Sequence, residues 1–346
     1  MDGRRASPIE SAPDPFESTV GLPPVPGLAF RHLRAPDDYP GMNAASNANR
    51  AVDGDPFATS LEDFANFYEH LSNSDPARDV LIVEVAGSIV GYARCSWYRE
   101  VAGDRIYETV CFLDPEWHRR GLGRAMLATI EERIQAIAAS HPADGSRFLQ
   151  AETNDAAAGR QALLRSAGFS PARYSFTMIR PTLDDQLDAP MPEGLEIRDV
   201  QAEHMRAIWD ADQEAFRDHW GSGQGTEADY QQFLTDRTGG DTTLWRIAWD
   251  GDQVAGQVRS YINAEENRRF GRRRGWVENI SIRRPWRRRG LARALMAASF
   301  PLLRARGMTE GALTVDTENL SGALRVYESV GFRPTDRATT YRRPLD

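Results

Sequence analysis

Lysine is absent from this sequence: all 42 of its basic residues are arginine. That excludes the Walker phosphate loop, whose lysine reaches the terminal phosphates of a nucleotide. The complete replacement fits codon usage in a GC-rich genome. Cysteine is nearly missing, with only Cys95 and Cys111, both inside apolar strand-like runs. Two such residues make neither a disulfide framework nor a zinc site, so buried free thiols and no metal are expected. No apolar run approaches the roughly 20 residues that span a bilayer. Residues 1–26 carry prolines and serines but no apolar signal-peptide core. The expectations are a disordered tail over 1–26 and a cytoplasmic protein with no membrane attachment. Positive charge is not in excess either. Acidic residues number 50, the net charge is −8, and a general nucleic-acid binder is disfavoured.

What the sequence does contain is itself, twice. Gly27-Leu28-Ala29-Phe30-Arg31 returns as Gly194-Leu195-Glu196-Ile197-Arg198, and Trp117-His118-Arg119-Arg120-Gly121-Leu122-Gly123-Arg124 as Trp286-Arg287-Arg288-Arg289-Gly290-Leu291-Ala292-Arg293. Leu164-Arg165-Ser166-Ala167-Gly168-Phe169 matches Tyr327-Glu328-Ser329-Val330-Gly331-Phe332. Matching glycines in these pairs stand 167, 169 and 163 residues apart, in the same order. At 346 residues the chain has room for two domains. The expected division is 27–181, a linker over 182–193 rich in proline and aspartate, and 194–346.

Each copy reads alike. An opening strand leads into a helical stretch (Leu61 to Leu71, or Ala202 to Phe216). A hairpin follows, turning at Ala86-Gly87-Ser88 or Asp250-Gly251-Asp252. Next come a strand running into the glycine motif, a helix, another strand, a last helix and a closing strand. Pro301 removes a backbone hydrogen bond and predicts a kinked or shortened second motif helix. The alternation predicts an α/β fold with one mixed central sheet per copy, flanked by helices.

A strand, a tight glycine loop and a helix N-terminus together form an anion site, because unpaired N–H groups and the dipole favour a phosphate. Gly290 and Ala292 let the backbone approach the anion, and the arginines add charge. The Rossmann Gly-x-Gly-x-x-Gly pattern is missing. The pattern Arg/Gln-x-x-Gly-x-Gly/Ala resembles the acetyl-CoA pyrophosphate loop of the GNAT N-acetyltransferase superfamily, with the second copy fitting at Arg287, Gly290 and Ala292. The segment Asn319 to Phe332 is similar to that family's closing helix and Gly-Phe turn. The resemblance covers the chain from Gly27 onward, once per copy. It implies acetyl-CoA as acyl donor, held by Ile280, Ser281, Ile282, Arg287 to Arg293 and Asn319. In the first copy the matching positions are Cys111, Phe112, Leu113 and His118 to Arg124, with His118 in place of the motif arginine.

The same resemblance implies direct attack by an amine, with no nucleophilic Ser or Cys. A backbone N–H near Ile282 would polarise the thioester carbonyl. Tyr327 matches the family's general acid, where the first copy has Leu164; a core tyrosine with a satisfied hydroxyl is the plainer alternative. Glu278 is the candidate base, against a solvated strand-end carboxylate. Glu108 stands 13 residues before its glycine against 12 for Glu278, a change that reverses the strand face unless a bulge absorbs it. Asp218, His219 and Trp220 are candidates for holding the acceptor amine, or they simply close a helix at Gly221. Arg268 to Arg274 grip an anion or form a solvated loop.

The expected reaction is acetylation of a small-molecule primary amine in the second copy, with the first expected to be degenerate by its departures from the pattern. The tandem layout is also similar to that of mycothiol synthases, implying a cysteinyl-sugar amine. A non-catalytic acyl-CoA sensor is the reading from another class. Monomer and homodimer stay equally open.

Overall fold

The computed structural model describes Phe16, residues 21–318 and residues 322–345. The first half runs β1 (Leu28–His32), α1 (Tyr39–Val52), α2 (Leu61–Glu69), α3 (Pro76–Asp79), β2 (Val80–Val85), β3 (Ser88–Arg99), β4 (Arg105–Leu113), α4 (Leu122–Ser140), β5 (Arg147–Asn154), α5 (Ala158–Ser166) and β6 (Ser170–Arg180). The second runs β7 (Glu196–Arg198), α6 (Met205–Phe216), α7 (Glu227–Thr235), β8 (Trp245–Asp250), β9 (Gln253–Tyr261), α8 (Ala264–Phe270), β10 (Arg274–Ile282), α9 (Leu291–Ala305), β11 (Glu310–Asp316), α10 (Ala323–Ser329) and β12 (Arg333–Pro344).

Local chemistry explains several boundaries. Ser60 caps α2 by accepting from the Asp63 N–H, and Thr226 and Asp229 form a reciprocal box at the start of α7. Both α5 and α10 end on a left-handed glycine, and Phe169 and Phe332 donate back to Leu164 and Tyr327 at 3.0 and 3.1 Å. α9 continues through Pro301 but is shorter than α4, 15 residues against 19. Helix α1 was not legible, since it opens on Tyr-Pro-Gly and is rich in asparagine. Its buried Met42, Ala45, Ser46 and Asn49 nevertheless repeat at helical spacing.

One expectation needs correcting. The strands do not form one sheet per copy but a single mixed sheet of twelve, in the order β1-β2-β3-β4-β5-β12-β6-β11-β10-β9-β8-β7. Each copy lends its closing strand to the other: β12 pairs with β5, β6 pairs with β11, and β6 and β12 pair with each other at the centre. The physical reason is edge satisfaction. A closing strand can pair with either copy of the same edge, and the exchange leaves both central edges covered.

Helices on the sheet's faces bury separate cores. Leu122, Met126, Ile130 and Ile134 of α4 anchor the first, and Leu291, Leu295, Phe300 and Leu303 of α9 the second. The tail expected to be disordered is partly described, and the described part is packed. Phe16 is fully buried in the first core, and Leu22 and Val25 pack against it, because burying their apolar side chains is favourable. The arginine stretch is also not a solvated loop. Arg268 and Arg269 lie in α8; Arg269 donates to the Asn47 carbonyl at 3.0 Å and Arg272 to that of Pro56 at 2.8 Å, joining the halves. Among the described residues, no helix is long and apolar enough to cross a membrane.

Candidate active site

The two glycine loops share one backbone. Arg119 and Arg288 have φ of 64° and 63°, and Gly121 and Gly290 have φ of 85° and 83°. Neither α4 nor α9 has a side-chain cap, so the first-turn N–H groups stay open for an anion. The alternating handedness gathers successive N–H groups into a concave nest. A side chain added at Gly290 would meet nothing within 4 Å, whereas one at Gly121 would meet Pro23 at 3.3 Å. The second loop is open and the first is overlaid by the chain's own N-terminal segment.

The motif arginine has a different duty from the one its type implies. Arg287 Nε donates to the Ile282 carbonyl at 2.9 Å and Nη2 to the Ala215 carbonyl at 3.0 Å. His118 Nε2 meets the equivalent carbonyl, Leu113, at 3.0 Å. Both side chains strap the loop to the end of the preceding strand, which is why histidine can stand in the arginine position. Arg289 bonds the Glu193 carbonyl at 2.9 Å. The exposed Arg288 and Arg293 have no such engagement among the described residues, which leaves their charges open to solvent at the loop.

Below the loop, β10 departs from regular pairing. It pairs with β11 only from Arg274 to Trp276 and then separates from it. Against β9 the register slips between Glu278 and Ser281, with Asn279 at φ 49° as the bulged residue. The separation frees the Thr314 N–H of β11, which donates to the Glu278 carboxylate at 2.7 Å. Withdrawal from water pushes the Glu278 carboxyl up to about 7, although the Thr314 bond pulls the other way. Arg283 N–H bonds the Ala255 carbonyl on β9. In an extended chain the neighbouring Ile282 N–H therefore faces the opened cleft.

The bulge also settles the register between copies. Gly91 pairs with Leu113 as Gly256 pairs with Ile282, and Arg94 then faces Val110 where Arg259 faces Glu278. Val110, not Glu108, occupies the position of Glu278. β4 shows no slip against β3, and Glu108 accepts from Gln150 at 2.7 Å on the adjoining strand.

Tyr327 is buried on α10, and its hydroxyl has no hydrogen-bond partner among the described residues. Burial raises its pKa, and the Glu278 charge raises it further, so the two groups share one electrostatic environment. A merely structural tyrosine would normally have its hydroxyl satisfied. Leu164, its counterpart, is buried without one. Asn319 lies outside the described residues.

A cavity of about 670 Å³ lies between the halves. Its wall includes Ser46, Arg94 and Val110 from the first half and Arg259, Tyr261 and Asn279 from the second. Sequence reasoning missed this site, because its wall is assembled from both halves of the chain. The trio Asp218, His219 and Trp220 does not line it. Asp218 pairs with Arg284 and Arg287, Trp220 stacks beneath Arg342 at 4.1 Å, and His219 packs on Phe216 with burial lowering its pKa. These contacts serve the end of α6 and its junction with the glycine loop.

A nest above a helix N-terminus, a bulged strand parted from its parallel neighbour, and a carboxyl beside a phenol recur here with a sequence match. Residues 45–169 and 205–332 each match the model of the acetyltransferase (GNAT) family. The chain belongs to the GNAT acetyltransferase family. It is an acetyl-transferring acyltransferase with two GNAT units in tandem. It is 30% identical over 338 residues to a mycothiol acetyltransferase of Clavibacter michiganensis, covering 93% of this chain and 98% of that protein. With a mycothiol acetyltransferase of Geodermatophilus obscurus it shares 28% over 267 residues, 76% of this chain and 82% of that one. A GCN5-related N-acetyltransferase from Sphaerobacter thermophilus superposes with a TM-score of 0.69 at 27% identity, covering 92% and 96% of the two chains. A tandem GNAT protein of the clavulanic acid biosynthesis pathway shares the fold at a TM-score of 0.64 and 18% identity, covering 92% and 98%.

As GNAT units the two halves are unequal in three respects. The second keeps the bulge, the carboxylate and the phenol; the first has a regular strand, Val110 and Leu164. Beneath the second, Asp212 of α6 accepts from Ser281 at 2.8 Å, Arg259 at 2.9 Å and Gln257 at 3.0 Å, all buried. That network fixes Ser281 on the strand expected to hold the pantetheine arm, and no motif in the sequence announced it.

Proposed function

We propose that the protein transfers the acetyl group of acetyl-CoA to a primary amine of a small molecule, within its C-terminal half. The observation that carries this is the parting of β10 from β11 beside Glu278 and Tyr327. The residues present fit acetyl-CoA as substrate. The open nest at Gly290, with Arg288 and Arg293, suits its pyrophosphate, and the strand gap suits its thioester arm.

Glu278, near neutrality in its titration, takes a proton from the attacking amine through water. The Ile282 N–H faces the developing oxyanion. Tyr327 keeps its proton at neutral pH and gives it to the departing thiolate. The cavity between the halves receives the acceptor.

Similarity to mycothiol acetyltransferases over nearly the whole chain supports a second, narrower reading, in which the acceptor is a cysteinyl-sugar amine. Calorimetry of acetyl-CoA, with thiol release over an amine panel that includes a cysteinyl sugar, tests both. Gly290→Glu is expected to abolish binding and turnover, and Gly121→Glu to retain turnover. Loss of turnover in Gly121→Glu alone reverses the assignment of halves, and binding without turnover on any amine favours a sensor.

A further inference from the structure

The first half has lost its carboxylates and kept its arginine. Arg94 and Arg259 hold equivalent positions in the hairpins, one facing Val110 and the other Glu278, and both line the cavity. Arg259 is neutralised by Asp212 of α6 at 2.9 Å. Helix α1 packs on the first sheet as α6 packs on the second, and its buried positions match: Met42 with Ile208, Ala45 with Ala211, Asn49 with Ala215. Ser46 therefore stands where Asp212 stands.

With serine at the position of Asp212 and valine at that of Glu278, Arg94 has neither the ion-pair partner of Arg259 nor a carboxylate facing it across the strands. Among the described residues no carboxylate lies within ion-pair distance of it, and its Nε is buried without a hydrogen-bond partner. Its polar neighbours are the phenol of Tyr68 and, further off, that of Tyr92, neither of which supplies a charge. The acidic residues of the cavity wall are otherwise engaged. Asp63 accepts from Ser60 in the α2 cap, Asp229 from Thr226 and Ser72, and Asp236 from the Gly239 N–H. Arg50 and Arg237 pair with Asp55 and Glu62. Among the described residues Arg94 is the one guanidinium of the wall without an ion pair, while Asp229 and Asp236 accept only from neutral donors and keep charges of their own.

A half-buried guanidinium without a counter-charge is costly, and a carboxylate or phosphate matches its fork of donors. We propose that the degenerate half is the acceptor-recognition half, and that Arg94 binds an anionic group, carboxylate or phosphate, on the amine to be acetylated. The proposal rests on the acetyl-transfer reading above and names the class of acceptor.

The test uses amines paired by one anionic group: glucosamine with glucosamine 6-phosphate, ethanolamine with phosphoethanolamine, and tyramine with tyrosine. Binding is followed by tryptophan fluorescence, since Trp209 and Trp245 line the cavity, and turnover by release of the CoA thiol. Wild type is expected to favour the anionic member of at least one pair by about tenfold or more. Arg94→Met should bring that pair within about twofold, through KM rather than kcat, and Arg94→Lys should recover part of the preference. Acetyl-CoA calorimetry reports whether each variant is folded; if Arg94→Met is not, Arg94→Gln replaces it. Preference for the neutral member in every pair, or discrimination that survives in a folded variant, overturns the proposal. Discrimination in binding with no turnover on any amine sinks the acetyl-transfer reading and leaves the anion site standing.

Discussion

Replacing Glu278 by glutamine is the sharpest test of the chemistry, because it removes the titrating proton and keeps the side-chain shape. Burial holds the carboxyl near 7, well above its ordinary range. A group titrating there is about one-tenth ionised at pH 6 and about nine-tenths at pH 8. If the ionised form is the base, activity rises about tenfold between those values and then levels. Deprotonation of the acceptor amine alone gives a climb that continues toward the amine's own pKa, so the bend near 7 is diagnostic. Glu278→Gln should lose the bend and lower kcat by a factor on the order of 10² to 10⁴. Stability supplies an independent reading of the same group. A carboxyl whose folded pKa exceeds its unfolded one binds more protons when folded, so it destabilises as pH rises from the ordinary carboxylate range to about 7. The glutamine variant should therefore gain melting temperature relative to wild type at pH 8 and not at pH 4. A variant that keeps most of its activity and the same bend would refute Glu278 as the base.

Tyr327→Phe should lower kcat about 10²-fold or more while leaving acetyl-CoA affinity in calorimetry close to wild type; unchanged turnover would return the phenol to a packing role. Asp212→Ala leaves Arg259, Gln257 and Ser281 without their shared buried acceptor. A loss of about 3–5 kcal/mol in urea unfolding is expected, and a loss under about 1 kcal/mol would mean water replaces the carboxylate. Residues 194–346 expressed alone strip β12 of β5 and β6, and β11 of β6. Light scattering should find aggregate or a strand-exchanged dimer, and a cooperatively melting monomer would contradict the exchange.

Where function constrains residue type, the sequence was legible. Gly121 and Gly290 need left-handed φ, a requirement few residues meet, so the loops stood out twice. Glu278 and Tyr327 stood out as candidates because their side chains are distinctive and the first copy has Val110 and Leu164 at those positions. Registers and partners were not legible. A bulge is one residue, and its trace was the displaced count at Glu108, which left open whether the first copy has a counterpart of Glu278 until the strand pairing put Val110 there. The exchange of β6 and β12 leaves no pattern, since a closing strand alternates in the same way whichever edge it joins. Arg287 resembled a phosphate ligand because residue type alone does not distinguish a strap to a carbonyl from a grip on an anion.

The exchanged strands make each GNAT half indispensable to the other, whichever of them carries the chemistry. With β12 between β5 and β6, neither half has a complete sheet of its own. Selection on stability therefore retains the first half whatever becomes of its catalytic positions. Val110, Leu164 and Ser46 stand where the second half has Glu278, Tyr327 and Asp212, and each is satisfied by packing or a neighbouring hydroxyl. Arg94 is the exception. It places a guanidinium without an ion pair, over the Phe67 ring, at the wall of the cavity shared with Glu278's strand. A guanidinium retained where its carboxylates have gone is better explained by what enters the cavity than by the fold around it.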